Sequence, residues 1–295
     1  MVEKKSPFQF FANLVMIVLA LCCLFPFALL VMSSLTEENT LIREGYSLFP
    51  KQFSAESYTY LFKNIDKIGR AYGITVFVTF VGTVASLLMT VLMAYPLSRK
   101  DFYGRNIFAF FVFFTMLFNG GLVPTYIMYT RYLHIKNTIW ALIIPSLLVS
   151  AFYVIMMRTY FTTNIPDAVI GAARIDGAGE FRILFQVVLP MSLPMMATMA
   201  LLIGLGYWND WKNGLYYLTD QNLFSIQNML NQMLKDVQFL KSGADSSAAA
   251  DLMQSMPAVG IKMSIAVVGA LPVMVAYPFF QKYFVKGITI GAVKG

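Results

Sequence analysis

Residues 166–194, PDAVIGAARIDGAGEFRILFQVVLPMSLP, decide how the rest of this chain is arranged. They lie between two strongly apolar segments, which predicts a water-facing loop that begins with a short helix, breaks at a tight turn and leads back into a membrane. Pro166 suits the first turn of that helix, where a missing N–H costs nothing, and Asn164 is placed to cap it. The turn at 176–179, Asp-Gly-Ala-Gly, separates this helix from a second amphipathic turn that begins at Glu180.

The first of these helices has a narrow apolar face. Ala168, Ala172 and Ile175 recur at i, i+4 and i+7, and Ala173 keeps the adjoining surface small. A helix with such small side chains fits a narrow groove on a partner protein. The alternative is a plain loop that connects two membrane spans.

The spelling of this stretch resembles the cytoplasmic coupling loop of ABC importer permeases, which runs E-A-A, three residues, G, nine or more residues, an apolar residue and L-P. The wider pattern A-A-x-x-D-G-A followed by L-P-x-x-x-P is most similar to the smaller permease of maltose-type sugar importers. One departure is Gly171, which stands where the family has Glu and so lacks the carboxylate of a salt bridge to the ATPase. The resemblance implies a role in coupling to an ATPase for Ala168, Gly171, Ala172, Ala173, Asp176, Gly177, Ala178, Leu189 and Pro190.

The composition is that of an integral membrane protein. Hydrophobic residues make up 58% of the chain, charged residues make up 13%, and the mean hydropathy is +0.65. A membrane span needs about 20 apolar residues, and six charge-free windows reach that length. The windows are 6–36, 71–98, 106–130, 137–157, 183–209 and 263–281. With the resemblance, they predict an all-α membrane protein with six transmembrane helices, the type I ABC importer permease fold and a cytoplasmic coupling helix.

The distribution of charge orients the chain. Its net charge of +7 does not form a nucleic-acid patch, and the short link 99–105, RKDFYGR, favours the cytoplasm by the positive-inside rule. We therefore expect both termini in the cytoplasm of a bacterial cell, with the protein in the inner (cytoplasmic) membrane. The predicted parts are a lead at 1–10, a six-span domain at 11–282 and a tail at 283–295. Within that domain, 158–190 is the coupling loop and 212–260 is an outer loop.

Two further segments suggest a path for a substrate. The fifth window ends in Tyr-Trp-Asn-Asp-Trp at 207–211, which combines rings that stack on sugars with side chains that bind hydroxyl groups. The third window breaks at 119–121, Asn-Gly-Gly, and an interrupted helix at membrane depth can line a cavity. The predicted path residues are Tyr126, Trp208, Asn209 and Asp210. The alternatives are an aromatic belt at the outer surface and a break that only marks the end of a span.

Several classes of site have no sequence signal. The chain has no G-x-x-x-x-G-K-[ST] loop, so we expect no ATP hydrolysis and no cofactor in this polypeptide; ATP and Mg²⁺ would be bound by a partner ATPase. It has no G-x-S-x-G, H-E-x-x-H or C-x-x-C motif, and we expect it not to be an enzyme. A single histidine, His134, and the adjacent Cys22 and Cys23 predict neither a metal site nor an ordinary disulfide.

The resemblance also implies partners. These are a second homologous permease, two ATPase subunits, an extracytoplasmic solute-binding protein, a carbohydrate substrate such as an oligosaccharide, and membrane lipid, but no nucleic acid. The alternative is an ion-coupled secondary transporter or channel. That class predicts paired intramembrane carboxylates or an internal repeat, and neither is evident in the sequence. Dependence of uptake on ATP or on an ion gradient separates the two.

Overall fold

A computed structural model describes residues 7–63, 65–242 and 258–292. Over these residues the regular structure is helical, apart from one isolated bridge between Thr36 and Phe53. The helices are α1 (Pro7–Ser34), α2 (Glu38–Glu44), α3 (Glu56–Lys63), α4 (Ile65–Ser98), α5 (Arg105–Leu117), α6 (Leu122–Ile127), α7 (Trp140–Ile143), α8 (Ala151–Asn164), α9 (Asp167–Ile175), α10 (Glu180–Ile183), α11 (Leu189–Met191), α12 (Leu193–Trp208), α13 (Lys212–Tyr217), α14 (Ile226–Ser242) and α15 (Ala258–Ala292). Wider π turns, Met128–Tyr132 and Leu184–Val188, continue α6 and α10, and a 3₁₀ turn spans Gln221–Leu223.

The chain divides into two compact units. One unit is drawn from residues within 1–68 and 230–272. In it, the two carboxylate oxygens of Glu38 accept the backbone N–H groups of Val259 and Gly260, each at 2.8 Å. A carboxylate at the first turn of a helix satisfies free N–H groups and complements the helix dipole, so Glu38 fixes where α15 begins.

The other unit is drawn from residues within 69–229 and 273–295 and contains the larger core. Here α4 packs against α12 with very small side chains at the contact. A Cβ placed on Gly82 would lie 2.6 Å from the ring of Tyr207, and one on Gly204 would lie 3.4 Å from Oγ1 of Thr83. The small residues of the second apolar window therefore allow the close helix packing that they predict.

The predicted count of six spans is only partly visible in the described residues. Two helices, Phe8–Ser34 and Ile65–Ser98, are long and apolar enough to cross a membrane. Two bent pairs raise the count to four if each pair is one span: Arg105–Leu117 with Leu122–Tyr132 at 113°, and Glu180–Met191 with Leu193–Trp208 at 85°. The sixth window lies inside α15. Six spans therefore stay a prediction.

Besides the bend before Leu193, two apolar windows contain breaks. The break at 119–121 is confirmed, because α5 ends at Leu117 and Gly121 takes a left-handed φ of 84° before α6 begins. The window 137–157, predicted as one of the six transmembrane helices, is not a continuous helix: α7 ends at Ile143 and α8 starts at Ala151. Pro145 has no N–H to continue the helix, and Ser146 has a φ of 62°.

Candidate functional site

The predicted loop helix is present as α9, but its cap differs from the prediction. Pro166 occupies the N-cap position in an extended conformation, and α9 begins at the next residue. Asn164 ends α8 instead, and its side-chain amide donates to the carbonyl of Tyr160 at 3.3 Å. The residue before a proline disfavours helical angles, and Ile165 is accordingly extended with φ −102° and ψ 109°. The expectation that Asn164 caps this helix was therefore wrong.

The faces of α9 are clearly divided. Ile170 is buried at 3% exposure, and Ala173 packs against the same core. Ala168 and Ala172 are exposed on the other side, where Ile175 is 89% exposed. The narrow apolar face predicted from the sequence thus lies open at the surface of the chain.

A tight turn ends α9. The N–H of Gly177 donates to the carbonyl of Arg174, and the N–H of Ala178 donates to that of Ala173, both at 3.0 Å. Gly177 has a φ of 78°, a left-handed conformation that glycine adopts without a steric penalty. Over the described residues, no atom lies within 4 Å of a Cβ built on Gly177. Past the turn, Ala178 packs on the core, Leu189 is half-buried and Pro190 is exposed at α11.

The link between α4 and α5 holds both ends of α9. In the first turn of α9, Asp167 Oδ2 lies 3.0 Å from Lys100 Nζ, and Asp167 Oδ1 lies 3.8 Å from Arg99 Nη1. In its last turn, Arg174 Nη1 lies 2.6 Å from Asp101 Oδ2. An acidic residue in the first turn and a basic one in the last turn also complement the helix dipole.

Glu180, the first residue of α10, joins this link to α4. Its Oε1 lies 2.8 Å from Arg174 Nη2, and the hydroxyl of Tyr95, near the end of α4, donates to its Oε2 at 2.6 Å. The hydrogen bond from Arg174 holds the pKa of Asp101 below its ordinary value of 3.8, so Asp101 is ionised at neutral pH. A cleft of about 390 Å³ lies beside these side chains, and Leu92 forms part of its apolar lining. We call Tyr95, Asp101, Arg174 and Glu180 the brace.

Sequence reasoning did not find the brace. It placed the link 99–105 and the loop on the same side of a membrane and recorded Glu180 as the start of a turn. The partners are far apart in the chain, with 85 positions between Tyr95 and Glu180. No local pattern in one sequence points to such a pair.

The predicted path residues lie around α13. Asp210 Oδ1 accepts the N–H groups of Lys212 at 3.1 Å and Asn213 at 3.3 Å, which caps the start of this helix. At its other end, the ring of Tyr217 stacks on that of Tyr126 with centroids 5.8 Å apart. Tyr126 and Asp210 are therefore placed at opposite ends of the same short helix.

The remaining path residues differ in how accessible they are. Trp208 is only 9% exposed, whereas Asn209 is exposed and donates its side-chain amide to the carbonyl of Leu205 at 3.0 Å. Among the described residues, Oδ2 of Asp210 is buried and has no hydrogen-bond partner, and burial raises the pKa of this carboxyl. Tyr129, which contacts the Tyr217 ring edge-on at 5.8 Å, was not singled out from the sequence. The signal in the sequence that could have pointed to Tyr129 was its position three residues after another tyrosine, Tyr126.

Within 7–63, 65–242 and 258–292, no three His, Cys, Asp or Glu side chains come together in a way that could hold an ion. The candidate site in these residues therefore comprises the exposed face of α9 and a group of aromatic, amide and carboxylate side chains around α13.

Comparison with known proteins connects this geometry to a family. The family model described as binding-protein-dependent transport system inner membrane component matches residues 68–290. The polygalacturonan/rhamnogalacturonan transport system permease protein YtcP of Bacillus subtilis is 37% identical over 95% of this chain and 96% of its own. The arabinooligosaccharides transport system permease protein AraQ of Halalkalibacterium halodurans is 29% identical over 94% of this chain and 93% of its own. Among solved structures, a chain of a bacterial ABC transporter involved in the import of the acidic polysaccharide alginate superposes with a TM-score of 0.80 and 28% identity, covering 96% of this chain and 100% of that one.

Proposed function

Because the chain belongs to the family of binding-protein-dependent transport system inner membrane components, we propose that it is one permease subunit of an ATP-driven importer of an oligosaccharide or other carbohydrate. The chain is a multi-pass membrane protein with the helical fold of an ABC importer permease. The observation that carries the proposal is the exposed apolar face of α9, formed by Ala168, Ala172 and Ile175, on a helix whose two ends are held by the α4–α5 link.

The proposed assembly follows from what this chain lacks. It has no phosphate-binding loop of its own, so ATP and Mg²⁺ would be bound by a separate ATPase whose groove takes α9. One such helix serves one ATPase, and a closed nucleotide sandwich needs two ATPases. We therefore propose a second, homologous permease, two ATPase subunits and an extracytoplasmic solute-binding protein as partners.

Coupling is then a shift between two conformations. ATP binding closes the ATPase pair and moves α9, and the rigid membrane helices carry the movement to the substrate path. In this proposal the coupling residues are those of the loop at 158–190, and the sugar passes near Tyr126, Trp208, Asn209 and Asp210. The exposed side chain of Asn209 supports a polar contact there, since its amide oxygen can accept a sugar hydroxyl. The names of the relatives support a carbohydrate cargo.

The contacts around α9 also support one orientation. The link 99–101 bonds directly to α9, so the two lie on the same side of the membrane. The basic character of this link favours the cytoplasm. We propose that both termini are cytoplasmic in a bacterial inner membrane, with a lead at 1–10, a six-span domain at 11–282 and a tail at 283–295. Residues 1–6, 243–257 and 293–295 of the lead, outer loop and tail lie outside the described residues.

The test uses the size of residue 177. The complex is reconstituted in proteoliposomes, and ATP hydrolysis is measured with and without the solute-binding protein, loaded with oligogalacturonides or arabino-oligosaccharides. Wild type is compared with Gly177→Asn, which tolerates the left-handed conformation, and Gly177→Trp, which is bulky. Because none of the described residues places an atom within 4 Å of a Cβ at Gly177, a loss that grows with side-chain size reports a partner's surface.

Three outcomes are informative. Hydrolysis that is stimulated by the loaded binding protein, is largely kept by Gly177→Asn and is abolished by Gly177→Trp supports both the importer and the docking of α9. Uptake that follows an ion gradient and ignores ATP contradicts the proposal and favours the ion-coupled alternative. A stimulation equal in all three proteins rejects α9 as the docking helix.

A further inference from the structure

We infer that the brace, Tyr95, Asp101, Arg174 and Glu180, positions the coupling helix α9 against the membrane helix α4 and carries its movement to that helix. The inference rests on the proposed function and deepens it, because it assigns coupling to residues of which two, Tyr95 and Asp101, lie outside the coupling loop. These are positioning residues, since none of them needs to touch the cargo or ATP.

The brace is an unbroken chain of hydrogen bonds and ion pairs. Arg174 uses three nitrogens: Nη1 on Asp101 at 2.6 Å, Nη2 on Glu180 at 2.8 Å, and Nε on the same Glu180 oxygen at 3.0 Å. The second oxygen of Glu180 accepts the Tyr95 hydroxyl at 2.6 Å. Paired charged hydrogen bonds fix orientation as well as distance, so the guanidinium cannot rotate without losing several bonds at once.

One end of the brace is anchored in the core. Tyr95 is only 6% exposed, and the guanidinium of Arg99 lies 5.5 Å from the centroid of its ring. The hydroxyl of Tyr95 therefore has little freedom to follow Glu180 by itself. A displacement of Glu180 acts on the backbone of α4 instead.

From the brace, α4 leads toward the proposed cargo residues. Tyr95 lies in the last turn of α4, and the same helix packs against α12 at Gly82 and Tyr207. The proposed cargo residues follow directly at the end of α12, from Trp208 to Asp210. The brace thus joins α9 to a helix that contacts the element carrying these residues.

A purely local role is the competing explanation, because three charged groups of the brace are partly exposed, with side chains 41%, 54% and 52% accessible for Arg174, Asp101 and Glu180. Exposed ion pairs contribute little to stability. If these contacts only stabilise the loop, breaking them lowers the amount of assembled complex and leaves the number of ATP molecules hydrolysed per sugar unchanged. A positioning role changes the number of ATP molecules hydrolysed per sugar imported.

The experiment measures that ratio in proteoliposomes that contain the full complex and the sugar-loaded binding protein. The variants are Tyr95→Phe, which removes only the hydroxyl, Asp101→Asn, which removes the charge, and the two combined. Two matched controls are Tyr103→Phe, at a fully exposed tyrosine, and Lys51→Ala, which breaks an exposed 2.6 Å ion pair with Glu44 in the other unit. Co-purification of the ATPase reports the amount of assembled complex.

We expect each single brace variant to raise the ATP used per sugar by about threefold, since Tyr95→Phe removes and Asp101→Asn weakens one charge-assisted hydrogen bond that is partly screened by water. The combined variant should raise it by less than the product of the two, because both act on one chain of bonds. The controls should leave the ratio at the wild-type value.

Two results overturn the inference. One is an unchanged ratio in both brace variants. The other is a loss of hydrolysis and import in the same proportion as the loss of assembled complex, which is expected if these contacts only stabilise the loop. Failure of the proposed function looks different, because then the wild-type complex itself shows no hydrolysis that depends on the binding protein.

Discussion

Replacement of Gly82 by Ala tests the closest helix contact of the structure. A Cβ at this position would lie 2.6 Å from two atoms of the Tyr207 ring and 2.8 Å from a third. The ring is 3% exposed, and its hydroxyl donates to the carbonyl of Ile143 at 2.9 Å. The ring therefore has neither free space to move into nor a free hydroxyl.

The cost of this change is estimated from the geometry. Carbon atoms prefer separations of about 3.5 to 4.0 Å, so the ring must move by about 1 Å. Overpacking of this kind costs about 1 to 3 kcal/mol, and the stretched hydrogen bond to Ile143 adds about 1 kcal/mol. Alanine regains about 1 kcal/mol as the better helix former. We expect a net loss of about 2 kcal/mol in the free energy of unfolding, which lowers the unfolding midpoint by about 3 °C in a chain of 295 residues.

The assay is thermal unfolding of the purified protein in one detergent. Gly73→Ala is the matched control, because it lies in the same helix and no atom lies within 4 Å of its added Cβ. This control should unfold at or above the wild-type temperature. Tyr207→Leu removes the ring, so it should erase most of the penalty when combined with Gly82→Ala. If Gly82→Ala unfolds no earlier than Gly73→Ala, the packing of α4 on α12 described above is refuted.

Three other predictions follow from single positions. Asp210→Asn keeps an oxygen that caps α13 and removes a buried charge, so its unfolding midpoint at neutral pH should equal or exceed that of wild type. Asp210→Ala loses the cap, which should lower the free energy of unfolding by about 1 kcal/mol. Thermal unfolding of both variants tests this. Gly171→Glu introduces the carboxylate of the family pattern at a position where none of the described residues has an atom within 4 Å of the added Cβ. The ATPase should therefore still co-purify in wild-type amount, and loss of the complex would contradict this. Because Arg174 lowers the pKa of Asp101, the contribution of Asp101 to stability is complete above its ordinary pKa of 3.8 and is lost only as pH falls through the lower folded value. The ATP used per sugar should therefore be constant from about pH 5 to pH 8. A step in this ratio near neutral pH would contradict the prediction.

Local chemistry could be predicted from the sequence because it depends on neighbouring residues. The helix at α9, the turn that needs a left-handed glycine at Gly177 and the break before Gly121 all follow from turn chemistry and helical spacing. The exposed face of Ala168, Ala172 and Ile175 was also predicted correctly. The cap at Asn164 was not, because the restriction that a proline places on the preceding residue outweighed the preference of Asn for the cap.

The break between α7 and α8 shows a second limit of the sequence. Residues 137–157 carry no charge, and length with apolarity is the signal for a continuous span. The freed carbonyls of Ile143 and Pro145 are satisfied by the side chains of Tyr207 and Asn213, at 2.9 Å each. These donors come from a distant part of the chain, so only the tertiary structure makes the break tolerable.

By itself, then, the sequence determined the membrane class and the helix–turn motif at 166–179 with its apolar face. The tertiary structure alone decided which groups hold that motif in place. Tyr95 and Glu180 are 85 positions apart, and their 2.6 Å hydrogen bond exists only because the end of α4 and the start of α10 are brought together by the packing of the core. Spacing along one chain records periodicity over a few turns of helix, whereas such a pair depends on where every intervening helix ends and turns.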